Sequence, residues 1–114
     1  MNIHKQGSTG WKDVEMKGAA DVKIRILVGP DQGSDDIVMR HFKILPGGNT
    51  PEHTHPFEHV VKVEKGKGMV VDSSRTEHEV NEGDSLFVPP DEQHQFKNPF
   101  DSDFEFLCII PGTS

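Results

Sequence analysis

Turn-forming residues recur so often along this chain that the segments between them are only a few residues long. Eleven Gly and eight Pro occur within 114 residues. Inside the segments apolar and polar residues alternate, as in "VKIRILVG" (22–29), where Val22, Ile24 and Ile26 share one face. A period of two indicates β-strands, and no segment shows the 3.6-residue period of an amphipathic helix. The sequence therefore predicts an all-β protein.

Eight strand candidates follow one another, each ended by a turn rich in Gly, Pro, Asn, Asp or Ser. They cover residues 22–29, 37–45, 59–64, 69–72, 76–80, 85–88, 94–97 and 104–110. Many short strands at such spacing are typical of an antiparallel sandwich or barrel. The length suits one domain, which we assign to residues 21–114. Residues 1–20 are interpreted as an arm that could be exchanged between subunits, with Trp11 as its packing anchor.

Charge and hydropathy exclude several classes of partner. The net charge is -7 and the 12 Lys and Arg are scattered, so neither nucleic acid nor an anionic membrane is expected to bind. No apolar run approaches the roughly 20 residues that span a bilayer. The polar start "MNIHKQGSTG" lacks the apolar segment of a signal peptide, and the prediction is a cytoplasmic protein. Cys108 is the only cysteine, which rules out an intrachain disulfide.

Three of the seven histidines fall within "PEHTHPFEHV" (51–60). In a strand, His53, His55 and His59 have the same parity and would face one way. A single histidine is usually a surface or core residue, but three neutral imidazoles packed without partners lose hydration. A divalent cation removes that cost because it binds neutral imidazole. The segment therefore predicts a metal site, with His94, which follows a strand and a Pro-Pro turn, as the best fourth ligand.

At these residues the sequence resembles the cupin superfamily. The first cupin motif places a glycine before an H-x-H pair, an acidic ligand and a second glycine. Here Gly47, His53, His55 and Gly66 match every spacing, and His59 stands where the acidic ligand is usual. Glu58 is adjacent but has the opposite parity, so the resemblance implies a small single-domain cupin with a four-histidine site.

The second cupin motif is carried by residues 83–98. Gly83, Pro89, His94 and Asn98 occupy its positions, whereas Asp91 replaces its internal glycine. The resemblance implies a jelly-roll β-barrel, which is a double-stranded β-helix of antiparallel strands. It also implies a bound divalent metal and a homodimer. We expect manganese, with Fe, Ni, Cu, Co and Zn left open, because imidazole binds all of them.

The resemblance leaves the reaction open. Four neutral ligands keep the full charge of the ion and favour the reduced state of a redox couple, so the leading prediction is a dioxygenase-type oxidoreductase acting on a small organic substrate. A non-catalytic cupin that senses or binds a small molecule or metal is one alternative. A metal-dependent isomerase or lyase is another, and a buried Arg or Lys beside the ion would favour it. No general base is evident from the sequence.

Strand parity also suggests which side chains enclose the substrate. Phe104, Phe106 and Cys108 share one face of the last strand, and Phe96 has the parity of His94. Arg40 and Gln95 could each reach the same pocket. The predicted substrate-binding residues are Arg40, Phe42, Gln95, Phe96, Phe104, Phe106 and Cys108. Walls of this kind favour an apolar or aromatic substrate over a sugar phosphate.

Overall fold

The computed structural model of the chain describes residues 1–5 and 7–112. Within them lie one short 3-10 turn (Pro30–Gln32) and nine β-strands. The strands are β1 (Lys12–Asp13), β2 (Ala20–Val28), β3 (Ile37–Asn49), β4 (His59–Lys65), β5 (Lys67–Val71), β6 (Glu77–Asn81), β7 (Ser85–Val88), β8 (Gln95–Lys97) and β9 (Phe104–Pro111). Among the described residues, no helix has the length and hydropathy needed to cross a bilayer.

All strand pairs are antiparallel and form one strongly curled sheet. Its order is β6-β5-β8-β3-β9-β4-β7, and β2 pairs with both β1 and β3. Sequence neighbours are often not sheet neighbours, as expected for a jelly roll. The prediction of an all-β, antiparallel fold consistent with a jelly-roll barrel is confirmed.

The longest strand, β3, differs from its predicted end. The segment "PGGN" was expected to end it near residue 45, but pairing continues to Asn49. Gly47 adopts a φ of 85°, and its amide donates to the carbonyl of Asn98. This left-handed glycine bends the strand rather than ending it. β3 thereby pairs with β9 along its first part and with β8 at Asn49.

The concave face of the sheet holds the core. In β4 the residues alternate between buried and exposed, and Val61 and Val63 point inward with His59, with which they share parity. Phe104, Phe106 and Cys108 are likewise buried on one face of β9, as predicted. The core is therefore formed by every second side chain of these strands. The three histidines of "PEHTHPFEHV" lie at or just before the start of β4.

The N-terminal segment lies against its own sheet. β1 pairs with β2, and the Trp11 ring lies 4.2 Å from the Arg25 guanidinium and 4.7 Å from the His41 ring. The Lys43 ammonium lies 4.5 Å from the same indole. Cation–π contacts of this kind fasten an arm that has few apolar residues. The exchange of this arm between subunits remains a prediction.

Gly68→Ala should destabilise the fold by about 1–3 kcal/mol, because a methyl group there would meet the ring of the fully buried Phe104. Gly10→Ala is the control, since a methyl group at Gly10 meets nothing within 4 Å. Urea denaturation of the two variants and the parent chain measures both effects. Equal stability of the two variants would contradict the packing described here.

Candidate metal centre

Two backbone hydrogen bonds bring the histidine-rich segment and the turn before β8 together. The His53 amide donates to the His94 carbonyl over 3.2 Å, and the His94 amide donates back over 3.1 Å. The Asp91 amide donates to the His55 carbonyl over 2.7 Å. Asp91 has a φ of 69°, so the residue that replaces the motif's glycine still adopts the left-handed conformation. The two motif segments are thus joined before any side chain is considered.

The structure groups three of the four predicted ligands directly. His53, His55 and His94 each offer one nitrogen, and these atoms all lie within 4.8 Å of one another. The ring of His59 is adjacent, with its centroid 4.8 Å from that of His94 and 5.3 Å from that of His55. Imidazoles that converge in this way are a usual ligand set for a divalent transition metal.

The hydrogen bonds of the rings fit such an ion. His94 Nδ1 lies 2.9 Å from the Glu92 carbonyl, which can only accept, so this nitrogen carries the proton. In this tautomer Nε2 of His94 keeps a free lone pair. In metal sites a carbonyl outside the ligand shell commonly selects the tautomer in this way. Nδ1 of His59 is buried without a hydrogen-bond partner. A cation held by the other three imidazoles would give this buried nitrogen a partner.

Electrostatics keep these rings neutral. Burial is the main cause that lowers the pKa of His53 to about 4, helped by His55, His94 and Arg40. Burial also lowers the pKa of His59 to about 4, with His94 and Arg40 as the next causes. The pKa of His55 is lowered for the same reasons. At neutral pH these three imidazoles are therefore uncharged, and a metal ion could bind to a ring nitrogen without displacing a proton from it.

The histidines open into a cavity of about 210 Å³ whose walls are mainly apolar. Phe106 stacks with Phe42 and Phe96 at centroid distances of 5.2 and 4.4 Å. The lining residues are Val14, Met16, Val22, Ile24, Arg40, Phe42, Thr50, Pro51, His53, His55, His59, His94, Phe96, Phe106 and Cys108. No carboxylate is among these lining residues, so any positive charge in the cavity lacks an acidic neighbour on its walls.

Arg40 supplies that positive charge. One terminal nitrogen of its guanidinium donates to Cys108 Sγ over 3.1 Å, and its Nε is buried without a hydrogen-bond partner. The guanidinium carbon lies 5.0 Å from the centre of the Phe42 ring. Burial raises the pKa of the Cys108 thiol, and the nearby guanidinium opposes that rise. A buried N–H without a partner is costly, which indicates that Arg40 Nε is available to an acceptor on a ligand.

Five of the seven predicted substrate residues line the cavity: Arg40, Phe42, Phe96, Phe106 and Cys108. Gln95 does not line it, because its side-chain amide donates to the Thr50 carbonyl. Phe104 also lies outside the lining, in the core next to Gly68.

Several lining residues were not anticipated from the sequence. Val14 and Met16 come from the segment interpreted as an arm, and Thr50 and Pro51 come from the turn before the histidines. Nothing in the local pattern of Val14 or Met16 signals a wall of a cavity. Their position follows from the pairing of β1 with β2, which is a tertiary contact.

The other histidines with described side-chain contacts lie elsewhere. His41 is buried on the opposite face of the sheet, where its Nδ1 accepts from Arg25 Nε over 3.2 Å and its Nε2 lies 3.0 Å from the Glu105 carboxylate. Burial and then Arg25 lower the pKa of His41, whereas Glu105 raises it. His78 is exposed and contacts Asp72. Neither residue lines the histidine cavity.

Comparison with models of protein families matches residues 40–110 to Cupin_2, the cupin domain. Among characterised proteins, the chain is 32% identical over 72 residues to 1-methylthio-D-xylulose 5-phosphate methylsulfurylase from Rhodospirillum rubrum. That match takes in 63% of this chain but only 46% of the length of that enzyme.

Solved structures show the same fold. The polyketide cyclase RemF from Streptomyces resistomycificus superposes with a TM-score of 0.93 at 28% identity, over 98% of this chain and 80% of RemF. A predicted oxalate decarboxylase from Thermotoga maritima superposes with a TM-score of 0.86 at 20% identity, over 96% of this chain and 98% of that one. The second likeness concerns the fold alone.

The metal-free protein should lose stability as the pH falls from about 6.5 to about 4. In the unfolded chain His53 and His59 take up protons near their ordinary pKa of 6.5, but in the folded chain their pKa is about 4. Acid therefore favours the unfolded state in this window, and the contribution of the two residues is fully present above it. The free energy of unfolding in urea with a chelator, measured across this range, checks the slope.

The double variant His53→Gln/His59→Gln should show a shallower slope than the parent in the same window. Gly10→Ala, which removes no titratable group and whose methyl group meets nothing within 4 Å, is the control and should keep the parent slope. An unchanged slope in the double variant would show that the two rings titrate normally in the folded protein.

Proposed function

We propose that this chain, which belongs to the Cupin_2 family, is a metal-dependent enzyme acting on a small, mainly apolar substrate that carries an anionic oxygen. The observation that carries the proposal is Arg40, a cation with a buried, unpartnered Nε in an apolar cavity beside four histidines. No carboxylate on the lining offsets it. The missing negative charge is assigned to the substrate.

His53, His55, His59 and His94 are the residues that would hold the ion, through their neutral imidazole nitrogens. Bound there, a divalent ion would supply Lewis-acid polarisation of a substrate oxygen. Manganese remains the expected metal, although imidazole also suits the other divalent transition metals. The four rings contribute no charge of their own, so they leave the positive potential of the site to be balanced by a ligand.

Arg40 would bind and orient the substrate oxygen. Its Nε–H can donate to an oxyanion, and hydrogen bonds to charged groups are the stronger class. The bond from its terminal nitrogen to Cys108 Sγ holds the guanidinium in place. The stacked rings of Phe42, Phe96 and Phe106 make the lining apolar, which suits a conjugated substrate and excludes water. An enolate, phenolate or conjugated carboxylate combines both features.

The reaction class favoured by these residues is isomerisation, cyclisation or lyase chemistry through an anionic oxygen intermediate. In each of these reactions Arg40 would stabilise the negative charge on the substrate oxygen. The likeness to the polyketide cyclase RemF supports a conjugated, oxygen-rich substrate. This favours the isomerase or lyase alternative over the dioxygenase that led the sequence-based predictions.

Dioxygenase chemistry stays the second candidate because of the donor set. Four imidazoles without a carboxylate favour the reduced state of a redox metal. The two candidates differ in their co-substrate, because only an oxygenase consumes O₂. Oxygen consumption with phenolic and β-dicarbonyl substrates, measured on the metal-loaded protein, separates them.

Metal analysis should find about one divalent ion per chain in the untagged protein, and His59→Ala should reduce it strongly. His78→Ala is the matched control, because that exposed ring contacts Asp72 and lies outside the histidine cavity. Elemental mass spectrometry after loading with Mn, Fe, Co, Ni, Cu or Zn measures the content and the preferred ion. Failure of every ion to bind would overturn the metal centre.

Arg40→Met should weaken the binding of an aromatic oxyanion by about tenfold or more, the value of a charge-assisted hydrogen bond. The probe is 4-nitrocatechol, whose absorption band shifts when its oxygens are bound, titrated into metal-loaded protein. Arg75→Met, at an exposed arginine, is the control. Equal affinity in Arg40→Met and the parent chain, at equal metal content, would remove Arg40 from the substrate site and leave the metal centre untouched.

A further inference from the structure

A second cavity, of about 340 Å³, lies on the convex face of the sheet, between the strands and the N-terminal residues. None of its described lining residues also lines the histidine cavity. Arg25 of β2, His41 of β3 and Leu107 of β9 are register neighbours on this face. Ser8 and Thr9 line the side formed by the N-terminal segment. We call this space the outer cavity, and its volume is enough for a small organic molecule.

Arg25 is the buried cation of the outer cavity. The residue is only 9% exposed, and its Nε donates to His41 Nδ1 over 3.2 Å. Its two terminal nitrogens have no hydrogen bond or ion pair with any residue that the structure describes. Four N–H groups of a permanent cation are therefore left without a protein acceptor. A largely buried cation is costly when no counter-charge contacts it, so a ligand that supplies the negative charge would be stabilised there.

Neighbouring side chains hold the Arg25 guanidinium in one place. The centre of the Trp11 ring lies 4.2 Å from the guanidinium carbon. Because His41 Nδ1 accepts from Arg25, the proton of the neutral ring is on Nε2, which lies 3.0 Å from the Glu105 carboxylate. The guanidinium is thus fixed before a ligand arrives, which lowers the entropy cost of binding.

The charge of the lining favours an anion. Among the described lining residues Arg25 and Lys5 are cationic, and Glu64 is the only carboxylate. The whole chain carries a net charge of -7, so the sign of the charge at this place is opposite to that of the protein as a whole. A local excess of positive charge raises the concentration of anions near it.

The rest of the lining on the strand side is mainly apolar. Leu27, Val28, Met39 and Leu107 line the outer cavity, and each is partly buried. We propose that the outer cavity is a second binding site, which takes a small organic carboxylate. The carboxylate would accept from both terminal nitrogens of Arg25, and the apolar body of the ligand would pack on the four apolar side chains.

Two features favour a carboxylate over inorganic phosphate. The planar fork of a guanidinium matches the two coplanar oxygens of a carboxylate. Phosphate, which has no apolar part, would leave the apolar side of the cavity uncovered. The inference does not depend on the proposed enzymatic function, because the two cavities share no described lining residue.

Trp11 offers a direct measure of binding. It is the only tryptophan of a chain without tyrosine, so the intrinsic fluorescence comes from the ring beside Arg25. Hexanoate, titrated into the purified full chain over about 0.01–10 mM at constant ionic strength, should shift this emission with saturation. Hexanamide, which has the same shape without the charge, and inorganic phosphate should each bind at least about tenfold more weakly. No saturable change with hexanoate, or equal binding of either analogue, would overturn the proposal.

Arg25→Met should weaken hexanoate binding by about tenfold or more, because it removes the charge-assisted hydrogen bonds. Arg40→Met tests whether the signal comes from the histidine cavity, and it should leave the affinity for hexanoate unchanged. Circular dichroism verifies that both variants fold. No loss in Arg25→Met, or an equal loss in Arg40→Met, would contradict a second site.

Two charge changes test the site with Arg25 left intact, since Arg25→Met also removes a support of the N-terminal segment. Ser8→Glu adds a carboxylate to the lining and should weaken hexanoate binding by about threefold, whereas Glu64→Gln removes one and should strengthen it by about twofold. Ser102→Glu, at an exposed serine outside the lining, is the matched control and should bind like the parent. Unchanged affinity in both Ser8→Glu and Glu64→Gln would show that the carboxylate binds elsewhere.

Discussion

The backbone bridge between His53 and His94 is the interaction on which the rest of the site depends. It ties the segment before β4 to the turn before β8, two pieces of chain about forty residues apart in sequence. This backbone pairing places the side chains of His53, His55 and His94 close together. The electrostatic repulsion between them is limited because burial lowers the pKa of His53 and His55 and so favours their neutral rings.

The second constraint is electrostatic. A cavity with neutral ligands and one guanidinium has no internal counter-charge on its walls, and burial lets that imbalance act at close range. Carboxylate ligation would have cancelled part of it, but His59 occupies that place in the motif. With histidine in place of the motif's acidic residue, the cavity lacks a negative charge that would offset Arg40.

Much of the fold could be predicted because it follows from local patterns. The two-residue period predicted the inward faces of β4 and β9, and the histidine spacing predicted that His53, His55 and His94 lie together. The unpredicted features arise from contacts between distant segments. β3 continues past Pro46 because Gly47 bends it toward β8, and Val14 and Met16 reach the cavity because β1 pairs with β2. The parity of Gln95 did not reveal that the Thr50 carbonyl holds its side chain.

β3 has a consequence for how such a protein can change. Its even-numbered residues Val38, Arg40, Phe42 and Ile44 face the core and cavity, whereas Met39 and His41 face outward. Substitutions at one parity leave the other surface nearly untouched, because each side chain stands on its own side of the sheet. New substrate preferences can therefore arise through the even positions alone. Substitutions on the outer surface can then accumulate or be eliminated independently of those in the cavity.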